Sequence, residues 1–397
     1  MISVEEAQAR VLADTKILPA ETVSLTDAAG RILAHPLTAR RTQPPFAASA
    51  MDGYAVRAAD IANVPVTLTQ VGAVAAGGYY EPNLQAGQCV RIFTGAPLPA
   101  GADTVVIQED TEADGDRILI KEAEQKGRHV RAAGLDFAAG DLRLAAGTHL
   151  SPRQLALAAA MDYPWLDVIR RPRVAILATG DEIVFPGEPI APSQIVASTS
   201  TSLAGFVRAQ GGEPVLLGVA RDTLESLREA AAAAKDADIL VTIGGASVGE
   251  HDLVQAALKQ EGLEVDFWKI AMRPGKPLMV GRLGKSQVLG LPGNPVSSMV
   301  GAALFLRPLM FALQGRPDGI PRPVQLPAGA ALGPNGIRQD YMRARLDTHG
   351  RVVPFARQDS SMLTALAEAD ALIVRPPNAP AVAENDPVPA LLLDGLL

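Results

Sequence analysis

Four times between Arg173 and Pro295 an apolar run closes on a small residue and gives way to a helical pattern, and no other feature constrains the fold as much. RVAILATG (Arg173 to Gly180) leads towards a helix pattern at Ser202 to Ala209, and VLLGVA (Val215 to Ala220) leads to one at Thr223 to Lys235. DILVTIGG (Asp238 to Gly245) precedes Asp252 to Gln260, and SQVLGLPG (Ser286 to Gly293) feeds a helix that starts at Pro295. Alternation of this kind implies βαβ units and a mainly parallel sheet covered on both faces. Hydrophobic residues make up 48% of the chain and aromatics only 4%, so the core must be built from Ala, Val, Leu and Ile. That palette suits buried parallel strands with small-residue helices packed on them.

The rest of the 397 residues has a different texture. Val4 to Ile17 has helical spacing with acids in its first turn, and Ser151 to Met161 reads as a short helix with Ser151 as cap and Pro152 in its first turn. Between them, from about Arg40 to Lys126, lie short β-prone runs broken by Gly and Pro: VPVTLTQV, QCVRIFTG, DTVVIQED and RILIKE. Gln314 to Pro323 is a linker by composition, and runs such as DYMRARL and ALIVRP follow it. The expected fold class is therefore α/β plus all-β modules. Its parts are an N-terminal helix and the start of a linker region (1–39), a β-rich insertion (40–130), the return of the linker region (131–170), a central parallel α/β domain (171–315) and a C-terminal β-barrel-like domain (320–397).

Several classes are excluded at this stage. A lone cysteine, Cys89, supports neither a disulfide framework nor a multi-cysteine zinc site. MISVEEAQAR lacks a basic signal-peptide start, and the apolar run Val296 to Leu313 is interrupted by Arg307 and Pro308, as in a buried helix rather than a membrane span. A net charge of −7 argues against general nucleic-acid binding. A cytoplasmic protein with no membrane or nucleic-acid partner is expected, and any anion site must be local.

In an open parallel sheet, ligands sit beyond the carboxyl ends of the strands. TGDEI (Thr179 to Ile183) places two consecutive acids at such an end, where carboxylates can hold Mg²⁺ or another divalent metal, although solvated acids on a turn read the same way. GGASVGEHD (Gly244 to Asp252) offers backbone N–H groups to an anion, and its Asp252 equally suits the cap of the next helix. The same loop carries G-x-S-x-G around Ser247, but the histidines after it are His251, which is too close, and His349, in the C-terminal module. A serine-hydrolase triad is thus disfavoured. In WKIAMRPGKP, Lys269, Arg273 and Lys276 form a positive cluster for an oxyanion or phosphate, or an ordinary exposed basic hairpin. In LPGNPVSS, Asn294 and Pro295 start a helix whose N–H groups can take an anion, or simply a well-capped helix. Together these features call for a phosphorylated ligand, a divalent metal and an oxyanion.

TGDE, GGASVGEHD, RPGKP and LPGNPVS, in that order, resemble the molybdopterin molybdenumtransferase family. MDGYAVR (Met51 to Arg57), RIFTGAPLPAGADTVV (Arg91 to Val106) and VRAAGLDF (Val130 to Phe137) extend the resemblance over essentially the whole chain. The resemblance implies an enzyme that inserts molybdate into adenylylated molybdopterin with a divalent metal and releases AMP. It also implies a homodimer of four-domain subunits, in which the insertion of one subunit faces the α/β domain of the other. Other cofactor-assembly proteins are candidate partners.

Carried onto this chain, Gly244, Gly245, Ser247, Gly249, Pro292, Gly293, Asn294 and Pro295 would face the pterin and nucleotide. Thr179, Gly180, Asp181, Ser198 and Ser297 are further substrate-side positions. Glu182, Asp222 and Asp252 would form the metal and hydrolytic side, with Glu182 and Asp252 as metal ligands, and Lys269, Arg273 and Lys276 would hold molybdate or phosphates. Asp52 and Asp136 match positions linked to activity. The residues alone also allow Asp52 to be part of an Asp-Gly hairpin turn, and Asp222 to be an N-cap or first-turn acid. The chain departs from the family pattern at Thr199, where an Asn is usual, at Arg273, where many relatives have Lys, and at Leu253, where Tyr is common.

Two rival functions are adenylylation of the pterin with ATP and a non-catalytic dimeric scaffold. The first has no use for the MDGYAVR insertion or the C-terminal module. The second has no need of Glu182 and Asp252 together with the basic cluster.

Overall fold

The computed structural model describes residues 1–244 and 253–397. The chain forms two compact units. One comprises Met1–Glu21, Gly30–Ile32 and Val168–Leu397, and the other Thr22–Ala29 and Leu33–Asp167.

The larger unit begins with α1 (Val4–Leu12), shorter than the expected Val4 to Ile17, capped by Ser3 through the Glu6 N–H. Its central sheet uses β1 (Arg173–Thr179), followed by α2 (Ser198–Ala209), β2 (Glu213–Ala220), α3 (Leu224–Ala233) and β3 (Ile239–Ile243). Then come α4 (Leu253–Gln260), β4 (Leu263–Lys269), β5 (Met272–Arg273), β6 (Pro277–Leu283), β7 (Ser286–Leu291) and the 19-residue helix α5 (Pro295–Leu313). The strand order is β2-β1-β3-β7-β6-β4. β2, β1, β3 and β7 run parallel, whereas β6 is antiparallel to both β7 and β4. The sheet is therefore mixed. This agrees with the mainly parallel sheet expected, and the one antiparallel strand arises because the RPGKP segment turns the chain straight back instead of crossing over a helix.

The apolar runs of β1, β3 and β7 are buried on both faces, with alternate residues serving opposite layers, whereas β2 at the sheet edge is only partly covered. Val174, Ile176, Ile239, Val241, Ile243, Leu289 and Leu291 pack with α1, α2 and α5. Ala175, Leu177, Leu240 and Val288 pack with Leu227 and Ala231 of α3 and with Val254, Ala257 and Leu258 of α4. The helix α5 is long and apolar enough to cross a membrane, but 89% of its apolar window is buried inside the protein, as a core helix should be. A π-helical stretch at Ala302–Leu306 precedes Pro308, which has no N–H to give to the helix ladder.

The C-terminal part supplies β8 (Val324–Pro327), β9 (Gln339–Leu346), β10 (Val352–Pro354), α6 (Leu363–Ala367), β11 (Ala371–Arg375) and β12 (Pro387–Leu392). Its sheet runs β5-β9-β11-β12-β8, with β10 on β9, and it curls until Ala328 bridges Val352. The strand β5 is borrowed from the α/β part of the chain and pairs in parallel with β9.

The smaller unit holds a six-stranded sheet ordered Thr104–Ile107, Gly53–Val56, Gln88–Ile92, Val66–Val74, Arg117–Ile120 and Thr111–Asp114. Tyr54, Val56, Leu68, Cys89, Val106 and Ile118 pack on one face, and Ala55, Val74, Val90, Ile92 and Val105 on the other. Gly53 is required here, since a Cβ would drive into the Val106 carbonyl of the neighbouring strand. This placement overturns the hairpin alternative for Asp52-Gly53: Gly53 pairs with both Ile92 and Ile107 inside the sheet. In the short helix Pro152–Ala160, Ser151 holds the N-cap position but spends its hydroxyl on the Gln154 side chain.

Candidate active site

The carboxyl ends of β1, β3 and β7 open into a cavity of about 530 Å³. Thr179 ends β1, Gly244 follows β3, and Gly293, Asn294 and Pro295 follow β7, all on its wall. Gly244 has φ +88°, a left-handed conformation that favours glycine, and a side chain there would press on Thr179. The Gly244 N–H donates to Leu291 O at 3.1 Å, and the Thr179 hydroxyl donates to Ile243 O at 3.3 Å, so the three strand ends are tied together.

Two helix starts aim into this cavity. The first, α2, begins at Ser198, a turn earlier than its apolar periodicity indicates, and so brings Ser198, Thr199 and Ser200 to the wall. The second is α5. Asn294 occupies its N-cap position and Pro295 its first turn, but the Asn294 side chain caps no N–H. At Ala197, the N-cap position of α2, there is likewise no side-chain cap. Helix starts left without side-chain caps present N–H groups and the positive end of the dipole to an anion. The expectation of a well-capped α5 is thus corrected: its cap residue faces the cavity. One α5 donor is used, with Val296 N–H bonding Ser360 O at 3.1 Å. Ser297 and Ser298 are buried in its first turn, and the Ser298 hydroxyl donates to Pro292 O.

Glu182 lies on the same wall, folded over Gly180, whose φ of +133° leaves no room for a side chain beneath the carboxylate. Asp181 Oδ1 accepts the Asp222 N–H at 3.3 Å. The Asp222 carboxyl is held above the usual range, first by partial burial and then by the charges of Asp181 and Glu182. Asp222 is not the cap of α3. Thr223 does that through the Ser226 N–H, which leaves the carboxylate available. These carboxylates suit a hard divalent cation, because their mutual repulsion is what such an ion would offset. Among the described residues, no group of three or more His, Cys, Asp or Glu could hold a metal by itself. Gly245, Ser247, Gly249 and Asp252 lie outside the described residues.

The basic cluster is not on the cavity wall. Lys269 ends β4, Lys276 precedes β6, and the Ile270 N–H closes the turn onto Lys276 O at 3.2 Å. Arg273 pairs with Asp340 at 2.5 Å. The turn nevertheless abuts the cavity's helix, since a Cβ at Gly275 would sit 3.6 Å from Ser297 O.

Ser361 and Leu363, from the C-terminal part, complete the wall. Their segment is held by Arg343, whose buried guanidinium donates to Asp359 O and Met362 O, both at 2.9 Å. No motif in the sequence singled out Ser361, Leu363, Ile195 or Val196. Ile195 and Val196 form a two-residue parallel ribbon with Ile183 and Val184 at the cavity mouth.

In the smaller unit, Asp52 Oδ1 accepts the Thr94 N–H at 2.7 Å and its hydroxyl at 2.8 Å. Those bonds, with Arg91 nearby, hold its carboxyl below the usual range. Thr94 lies in the FTGAP run, one of the stretches that carry the family resemblance. The carbonyl of Asp136 accepts from Arg143 at 3.2 Å.

Three family models match the chain: "MoeA N-terminal region (domain I and II)" over residues 2–161, "Probable molybdopterin binding domain" over 175–312, and "MoeA C-terminal region (domain IV)" over 325–393. A molybdopterin molybdenumtransferase of Nostoc sp. is 39% identical over 90% of this chain and 85% of its own. Molybdopterin molybdenumtransferase 2 of Mycobacterium tuberculosis is 37% identical over 94% of this chain and 95% of its own. The crystal structure of a molybdopterin biosynthesis MoeA protein from Pyrococcus horikoshii superposes with a TM-score of 0.86 at 32% identity, covering 99% of both chains.

Proposed function

The chain belongs to the MoeA family of molybdopterin molybdenumtransferases, and on that premise we propose that it moves molybdate onto adenylylated molybdopterin, with release of AMP, in the cytoplasm. It acts in molybdenum cofactor biosynthesis as a transferase. The observation that carries the finer reading is the cavity whose wall brings two helix starts and the Glu182 carboxylate together. A phosphorylated pterin needs anion donors, and cleavage of its phosphoanhydride needs carboxylate chemistry close by.

In this reading Thr179, Gly180, Asp181, Ser198, Gly244, Gly293, Asn294, Pro295 and Ser297 orient the pterin and its phosphates, together with Gly245, Ser247, Gly249 and Pro292. Glu182 and Asp252 would hold the divalent cation, whose charge would stabilise the phosphate oxygens as the bond to AMP breaks. Asp222, with its raised affinity for a proton, is suited to proton transfer at that step. Lys269, Arg273 and Lys276 supply the positive rim from which molybdate is delivered. Asp52, held by Thr94, and Asp136 belong to the smaller unit, and we propose that they act on the site of a second subunit in a homodimer.

The test is direct. Purified protein given adenylylated molybdopterin should release AMP only when molybdate is added, and Glu182→Gln should lose that release by at least about a hundredfold while remaining folded. Consumption of ATP instead, or release of AMP by Glu182→Gln at near the wild-type rate, would refute the assignment.

A further inference from the structure

Arg273, Asp340 and Arg375 stand opposite one another on three neighbouring strands. Arg273 of β5 is in register with Asp340 of β9, and Asp340 is in register with Arg375 of β11. Residues directly opposite on adjacent strands share a face, so the three form one row of alternating charge. The inner end of the row is fixed. Arg375 is buried and donates to Gly333 O at 2.9 Å and to Pro380 O. In the middle, the Asp340 side chain is only 7% exposed, while the Arg273 side chain at the outer end is 56% exposed.

A carboxylate this well buried needs a cation, and its ion pair among the described residues is with Arg273, while Arg375, whose donors go to Gly333 O and Pro380 O, adds its charge from the next strand. The same bond, from Arg273 Nη2 to Asp340 Oδ2, also fixes an exposed, rotamer-rich side chain in one direction. The fixed side chain belongs to the turn that rests on the first turn of α5, at the edge of the cavity. An arginine fork has five donors, so one arm can be tied down while the rest stay free, which a lysine ammonium does with less directional control.

We infer that Asp340 is a positioning residue for Arg273, holding one arm of the guanidinium so that the others meet a tetrahedral oxyanion at the cavity rim. This role rests on the oxyanion reading of the basic cluster proposed above. It makes the C-terminal sheet a part of the anion site, and it accounts for β5 being paired with β9 rather than left as a free loop.

The whole purified protein is used for the test, with molybdate alone as probe in calorimetric titration and with the adenylylated pterin in the AMP-release assay. In Asp340→Asn, half-saturation by molybdate should rise about tenfold while the rate at saturation stays within about twofold of wild type. Asp340→Glu should recover most of that loss. Arg273→Gln should give a similar rise, and adding Asp340→Asn to it should change nothing more.

Should Asp340→Asn fail to fold because Arg375 loses its counter-charge, Asp340→Asn with Arg375→Gln removes both buried charges. That pair is then read against Arg375→Gln alone, and the same tenfold rise is expected. Unchanged or lowered half-saturation where Asp340 is replaced by Asn, or effects of Asp340→Asn and Arg273→Gln that multiply, would overturn the role. A wild-type protein with no saturable response to molybdate would instead overturn the oxyanion reading beneath it.

Discussion

Asp222 shows how much the residue scale owes to tertiary contacts. From sequence it is an acid ahead of a helix, a place where a capping role is the ordinary outcome. In the structure Thr223 takes the cap, and Asp222 gains affinity for a proton first from its partial burial and then from the charges of Asp181 and Glu182. An aspartate raised in the folded state contributes most to stability below its unfolded value of about 3.9, and that contribution is lost as pH rises through the folded value. Asp222→Asn should therefore raise the melting temperature at pH 7 by roughly 1–2 °C, with the gap closing as pH falls into the carboxylate range. It should also impair AMP release, the usual trade at a site built for chemistry. A lower melting temperature at pH 7 would mark Asp222 as a structural first-turn acid. The strand-end glycines and acids could be read as a site because they follow apolar runs in sequence. Ser361 and Leu363 could not, because they reach the wall only through the carbonyls that Arg343 gathers.

At the scale of elements, periodicity located the strands β1, β2, β3 and β7 and the helices between them, since burial on both faces of β1, β3 and β7 leaves a continuous apolar signature, and the edge strand β2 carries an apolar run too. It did not show the reversal at β6, whose antiparallel course depends on the turn from Ile270 to Lys276 closing on itself. Nor did it show that α2 starts at Ser198, because Ser and Thr are weak helix formers whose position there is set by the cavity they face. The β-rich runs of the smaller unit were legible as strands, but their order was not, and the order is what makes Gly53 irreplaceable. Gly53→Ala should destabilise that unit by roughly 2–4 kcal/mol, from backbone displacement at Val106. Denaturant unfolding followed by a probe in that sheet measures it, and a loss under 1 kcal/mol would mean that the two strands separate without strain.

For the whole molecule, the proposed homodimer makes the sharpest claim: the acids of one reaction centre come from two chains. If Asp52→Ala and Glu182→Gln are each inactive, random exchange of subunits makes half the dimers mixed, and one of the two centres in each mixed dimer is intact. About a quarter of wild-type AMP release should return. Complete exchange, verified by mass, with no activity regained would refute a centre shared in this way. Four-part organisation was expected from the sequence, yet the sequence places Met272 and Arg273 far from the strands they join, so their capture by the C-terminal sheet was out of reach. That capture makes the C-terminal part a poor cassette for exchange between proteins. Its sheet takes an edge from upstream of its own linker, so a graft cut at residues 314–323 leaves behind two residues that the transplanted strand β9 was shaped to receive. For the same reason a protease that nicks this linker should yield two fragments that stay together on a sizing column and part only in denaturant.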